Sequence, residues 1–195
     1  YQLNAEGARI AVEVARNHTE RKIYVAGSIG PTSKSLTLSP DPEQPEFRSI
    51  DFDTLAAAYE IQVRGLVDGG VHLLLVETIY DGLNAKAALY AIKKVQEEKG
   101  SKLPVMLSAT VNDRSGRTLT GQTIEALFIA LSHYPILSFG LNCSFGAKDL
   151  HLFLKEMANK IPCFLSVYPN AGLPNETGEY DESPDYTAKQ LRKMA

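Results

Sequence analysis

Five short runs rich in Val, Ile and Leu recur along this chain, separated by stretches with helical spacing. No other feature limits the possible folds as strongly. The runs are Lys22–Gly27 (KIYVAG), His72–Thr78 (HLLLVET), Pro104–Val111 (PVMLSATV), Ile136–Cys143 (ILSFGLNC) and Pro162–Tyr168 (PCFLSVY). None alternates cleanly between apolar and polar residues, so each reads as a strand of a parallel sheet covered on both faces. Between them, apolar residues fall on single helical faces: Leu55, Tyr59, Val63, Leu66 and Val67; Leu83, Ala87, Tyr90, Ala91 and Val95; Ile124, Leu127, Phe128 and Leu131; Leu150, Phe153, Leu154, Met157 and Ile161. Asp53 and Thr120 are candidate N-caps, and Gly70 and Gly100 sit near helix ends. Asn4 to Arg16 reads as a leading helix, and a last helix starts at Pro184 and runs toward Ala195.

A helix followed by five strand–helix units is an α/β pattern. Two architectures compete. A doubly wound nucleotide-binding sheet favours G-x-G-x-x-G after an early strand, and Gly27-Ser28-Ile29-Gly30-Pro31 does not fit it. A (βα)8 barrel has eight units in typically ~250 residues, so five units in 195 residues would be an incomplete one. Connections entering strands are short. Those leaving them are long and polar, above all Pro31 to Phe52, Asn112 to Gly121 and Asn170 to Ser183. Long connections either carry function or are tolerated surface insertions.

Composition excludes several functions. With 44% apolar and 22% charged residues and a net charge of -3, the chain offers no general attraction to nucleic acid or to anionic membrane. No apolar run approaches the ~18 residues that span a bilayer. Two cysteines are too few for a disulfide framework, and a reducing cytoplasm is the expected compartment.

Chemistry collects where the strands end: Glu77-Thr78, Ser108 to Thr110, Asn142-Cys143 and Pro169-Asn170. In a barrel these ends share one mouth. Glu77 directly follows "LLLV", and a carboxylate there is costly to desolvate without a cation. It either takes a ligand amine, acts in catalysis, or pairs with a nearby Lys or Arg. Cys143 has three readings: an inert thiol, a nucleophile or a zinc ligand. The four histidines lie on helices or at strand starts, which argues against a nucleophile with a His base. Cys163 opens its strand whereas Cys143 closes its own, so the two lie at opposite ends. From the residues alone, an inert thiol is the favoured reading.

The stretch "GLNCSFG" (140–146) resembles the G-x-N-C motif of the homocysteine S-methyltransferase family. Four further stretches match in order: "VAGSIGPT" (25–32), "VETIYDGLNAKAAL" (76–89), "SATVNDRSGRTLTGQT" (108–123) and "PNAGLPNETGEYD" (169–181). Together they run through nearly the whole chain. The last two are similar to the N-terminal homocysteine module of the cobalamin-dependent methionine synthases, more than to betaine- or S-methylmethionine-dependent relatives.

The resemblance implies a (βα)8 barrel. It also implies a zinc held by the G-x-N-C cysteine and two adjacent cysteines of a G-G-C-C motif. By that match Cys143 is a zinc ligand, Glu77 takes the homocysteine amino group, and Asn170 stands near the metal, which it can approach when substrate is absent. Many relatives carry His where Tyr168 stands, so no chemical role is expected of Tyr168. Methylcobalamin and methyltetrahydrofolate would be bound by other modules of the same polypeptide.

No G-G-C-C occurs in the chain. The expectation is that the two other cysteines and the last strand lie beyond Ala195, and the first two strands before Tyr1. One zinc ligand of three would leave the chain alone inactive, with two exposed sheet edges. A non-catalytic α/β fragment or binding module, and an unrelated barrel enzyme such as a lyase using Glu77 as base, are the alternative readings.

Overall fold

A computed structural model describes residues 1–194. In chain order the elements are α1 (Gln2–Asn17), β1 (Ala26–Ile29), α2 (Phe52–Asp68), β2 (Leu73–Ile79), α3 (Gly82–Lys99), β3 (Val105–Ala109), α4 (Ile124–Leu131), β4 (Ser138–Gly146), α5 (Ala147–Ala158), β5 (Phe164–Asn170) and α6 (Pro184–Leu191). The five strands form one sheet in the order β1-β2-β3-β4-β5. β1 pairs with β2 and β4 with β5, both parallel. A doubly wound sheet reverses its strand order at a switch point. This sheet never reverses, so it is of the barrel type, with five strand–helix units of a (βα)8-like fold.

Two compact units divide the chain: Tyr1–Val76 with Asp81–Met106, and Glu77–Tyr80 with Leu107–Ala195. In the first unit, α1 buries Ala5, Ala8 and Val12. Small residues are needed on that face because α1 comes very close to α2. A Cβ added at Gly69 would sit 2.3 Å from the Ala8 Cβ. α2 is capped by Asp51, whose carboxylate accepts from the Thr54 N–H at 2.7 Å. The expected cap, Asp53, instead lies in the first turn, where its charge suits the positive end of the helix dipole.

Leu83 and Tyr90 were expected on the buried face of α3 and are exposed. The buried face is built from Ala85, Ala87, Ala88, Leu89, Ala91, Ile92 and Val95, and the small side chains on it leave the larger two at the solvent flank. β1 also differs from its expected span. The Val25 carbonyl and N–H are taken by the His72 backbone N–H and Nδ1, both at 2.9 Å, so the ladder with β2 starts at Ala26.

The long connection after β1 is fastened in the same unit by Asp81. Its carboxylate accepts from the hydroxyls of Ser35 (2.6 Å) and Thr37 (2.7 Å), and it also caps α3. The Asn84 side chain holds the Leu36 N–H and the Lys34 carbonyl. Pro31–Phe52 is therefore anchored near its start, through Lys34, Ser35, Leu36 and Thr37, while most of its remaining residues are exposed.

In the second unit, Thr123 caps α4 through the Ala126 N–H. Thr120, the expected cap, gives its hydroxyl to the Tyr80 carbonyl at 3.0 Å. At Gly140 the backbone of β5 leaves no room for a side chain: a Cβ there would lie 2.0 Å from the Ser166 carbonyl oxygen. β4 does not end at Cys143 as expected. Its pairing with β5 breaks after Asn142↔Tyr168 and resumes at Gly146↔Asn170. Three residues of β4 thus face one residue of β5, a bulge of the kind that re-aims side chains.

Candidate functional site

The strand-end residues Glu77, Thr78, Ser108, Asn142, Cys143 and Tyr168 lie in the second unit. At its centre is Asn142, 1% exposed. A buried carboxamide is costly unless its hydrogen bonds are made, and this one makes four. Its Oδ1 accepts from the Ser108 hydroxyl at 2.7 Å and the Thr78 backbone N–H at 3.1 Å. Its Nδ2 donates to the Thr78 hydroxyl at 2.9 Å and to the Cys143 Sγ at 3.0 Å. The backbone N–H of Thr78 can only donate, and that settles which end of the amide faces it. One side chain thus joins the C-terminal ends of β2, β3 and β4 and fixes where the Cys143 sulfur lies.

Three residues here have left-handed backbones without being glycine: Thr78 (φ 55), Cys143 (φ 57) and Ser144 (φ 63). Each costs about 1–2 kcal/mol relative to an ordinary conformation. They persist because neighbours hold them. Thr78 is held by Asn142 at both backbone and side chain. Ser144 donates its hydroxyl to the Val111 carbonyl. With its one proton so used, it must accept from Thr110 Oγ1, 2.6 Å away. The bulge and the left-handed turn together lift Cys143 out of the ladder, and it remains partly exposed.

Glu77 and Tyr168 form the other half of the site. The Tyr168 hydroxyl donates to Glu77 Oε2 at 3.1 Å. Burial, and then the charge of Glu77 and this bond, push the tyrosine well above its ordinary range, against an opposing contact from Ser108. Tyr168 is therefore a neutral donor at any physiological pH. The sequence reading gave it no role. Asn170 pairs with Gly146, three residues beyond Cys143.

Cys163 lies away from this group. It precedes the first β4–β5 pair, Ser138↔Phe164, and its thiol faces the Phe139 backbone. Burial pushes that thiol up. Four residues of strand separate Phe139 from Cys143, about 13 Å at the usual rise, so the two cysteines cannot share a metal. Both are free. A catalytic zinc takes three protein ligands and leaves one position open. Among the described residues, no group of three His, Cys, Asp or Glu is placed to hold a metal. The described residues supply one thiol donor for such an ion and do not complete its site.

Thr78, Ser108 and Asn142 were expected at strand ends but without any link between them; Ser144 was not singled out from the sequence, and Tyr168 was given no role. The usable signal was a polar side chain inside an apolar run, "FGLN" for Asn142 and "VMLS" for Ser108, since such a residue must have a partner. Nothing local marks Tyr168, whose partner is 91 residues away.

The family model for homocysteine S-methyltransferase matches residues 1–195. Among solved structures, the homocysteine methyltransferase MmuM from Escherichia coli is similar in its apo form (TM-score 0.66, 23% identity, 94% of this chain and 62% of that one). Its metallated form is similar too (TM-score 0.64, 24% identity, 94% and 60%). PhdJ bound to a substrate intermediate shares the fold more distantly (TM-score 0.52, 16% identity, 88% and 50%). The chain thus spans about 60% of the length of the MmuM structures it matches.

Proposed function

The chain belongs to the homocysteine S-methyltransferase family, and on that premise we propose that it is part of a protein that binds homocysteine and presents its sulfur for methylation, giving methionine. The observation that carries this reading is the bonded group in the second unit. There a carboxylate (Glu77) and a lifted thiol (Cys143) stand at strand ends tied together through Asn142. A zwitterionic thiol substrate needs a partner at each end. Glu77 is the partner for its ammonium group. A free alkyl thiol has a pKa of about 8.5 and is mostly protonated at neutral pH, so its sulfur must be deprotonated before an S–CH3 bond can form.

Zinc, when bound, supplies that deprotonation and orients the nucleophile. We propose Cys143 as one of its thiolate ligands and Asn170 as a neighbour of the metal. The remaining donors would be cysteines that this sequence does not contain, since its other cysteine is Cys163. On this reading the 195 residues are a partial homocysteine-binding barrel domain and are inactive alone. The long matches at 108–123 and 169–181 support the methionine synthase branch, in which methylcobalamin donates the methyl group and other modules of the polypeptide bind cobalamin and folate. A cytoplasmic setting agrees with two free thiols. No described helix is long and apolar enough to cross a membrane.

The test is zinc analysis of the protein as its gene encodes it, with and without Cys143→Ser. The expected result is stoichiometric zinc in the parent and its loss in the variant, together with loss of homocysteine-dependent methyl transfer. Equal zinc in both proteins would remove Cys143 from the site.

A further inference from the structure

We infer that Tyr168 is a positioning residue for substrate recognition: its hydroxyl sets the orientation of the Glu77 carboxylate that receives the homocysteine ammonium group. This deepens the proposed function and rests on that reading of Glu77.

A glutamate at the end of a strand can rotate about three side-chain bonds, and a single ammonium group selects only some of those orientations. Tyr168 narrows that freedom. Its hydroxyl bonds Oε2 at 3.1 Å from a ring that is half-buried on β5. Backbone pairing places Tyr168 opposite Asn142 in the β4–β5 register. The direction of the bond matters as well. An ionised carboxylate only accepts, so the tyrosine must donate. With Oε2 held by the tyrosine, the carboxylate keeps acceptor capacity for an ammonium group.

The same tyrosine links the two ends of the substrate site. Ser108 stands beside its hydroxyl and donates to Asn142, whose amide holds the Cys143 sulfur. The carboxylate that would take the amine and the thiol beside the reacting sulfur are thus indexed to one hydrogen-bonded group rather than to separate loops. Positions fixed in this way set the distance between the substrate's two ends, and small errors in such distances are costly.

The test measures binding of L-homocysteine, and of 4-mercaptobutanoate, which keeps the thiol and lacks the amine. Calorimetry would use the zinc-loaded protein as its gene encodes it. Four proteins are compared: the parent, Tyr168→Phe, Glu77→Gln and the double variant. Tyr168→Phe keeps the ring and removes one bond to a charged group, so homocysteine should bind about tenfold more weakly. Affinity for the amine-free thiol should change by less than about twofold, and in the Glu77→Gln background Tyr168→Phe should likewise cost less than about twofold.

A general structural defect would weaken both ligands, and would do so in both backgrounds; either result overturns the inference. So does a Tyr168→Phe protein that binds homocysteine as tightly as the parent. If Glu77→Gln itself leaves homocysteine binding intact, the assignment of Glu77 fails and the inference with it. A parent protein that binds neither thiol would refute the proposed function itself.

Discussion

Replacing Asn142 with Ala should destabilise the protein by about 2–4 kcal/mol, and the structure says how that figure arises. Two donors lose their acceptor, the fully buried Ser108 hydroxyl and the Thr78 backbone N–H. A buried donor left unpaired costs about 1–3 kcal/mol. Two effects reduce the sum. Ser108 can turn toward the Tyr168 hydroxyl beside it. Thr78, no longer held at φ 55, can release its strain of about 1–2 kcal/mol. Ser108→Ala should cost less, about 1 kcal/mol, because Asn142 Oδ1 keeps the Thr78 N–H as a donor. In the double variant the Ser108–Asn142 bond is removed only once, so the two costs should fall short of additivity by about 1 kcal/mol. Urea unfolding with an unchanged m value reads all three numbers. Additivity within about 0.3 kcal/mol, or a cost for Asn142→Ala below about 0.5 kcal/mol, would refute the view that this amide organises the strand ends.

Gly140→Ala should be more damaging, at about 3 kcal/mol or more. The atoms met by its new Cβ include the Ser166 carbonyl carbon at 2.7 Å, which cannot rotate away; a melting temperature equal to that of the parent would contradict the observed strand approach. Asp81→Ala should cost about 2–3 kcal/mol and open Pro31–Phe52 to limited proteolysis. Burial alone would raise the Asp81 pKa, but hydrogen bonds from Ser35, Thr37 and Leu83 outweigh it and hold the carboxyl below its ordinary value. Its contribution is therefore fully present above the unfolded value near pH ~4 and is lost as pH falls through the lower folded value. Asp81→Asn should accordingly flatten the acid limb of the stability profile, and an unchanged limb would show that other carboxylates dominate it.

The outline of the fold was legible because it depends on local composition. Alternating β-branched runs and helical stripes report a parallel α/β chain wherever they occur, and the absence of a phosphate-binding glycine pattern disfavoured a doubly wound sheet. Element ends were less legible. Asp51 and Thr123 cap where Asp53 and Thr120 were expected, because a cap depends on backbone conformation at one residue and on which partner is nearest. Thr120 was drawn off by the Tyr80 carbonyl, a contact 40 residues away in sequence.

The residue types of the candidate site were likewise present in the sequence as polar letters ending apolar runs. What the sequence could not contain was their connection. Asn142 bonds Thr78 and Ser108 across separations of 64 and 34 residues, and Tyr168 reaches Glu77 across 91. The left-handed turn at Cys143–Ser144 arises from a mismatch between β4 and β5, a property of the pairing of two strands that neither strand shows alone. The sequence by itself determined which side chains stand at the strand ends, because side-chain periodicity and apolar runs are local. Only the tertiary structure decided how those side chains are bonded, because hydrogen-bond partners are chosen by proximity in space.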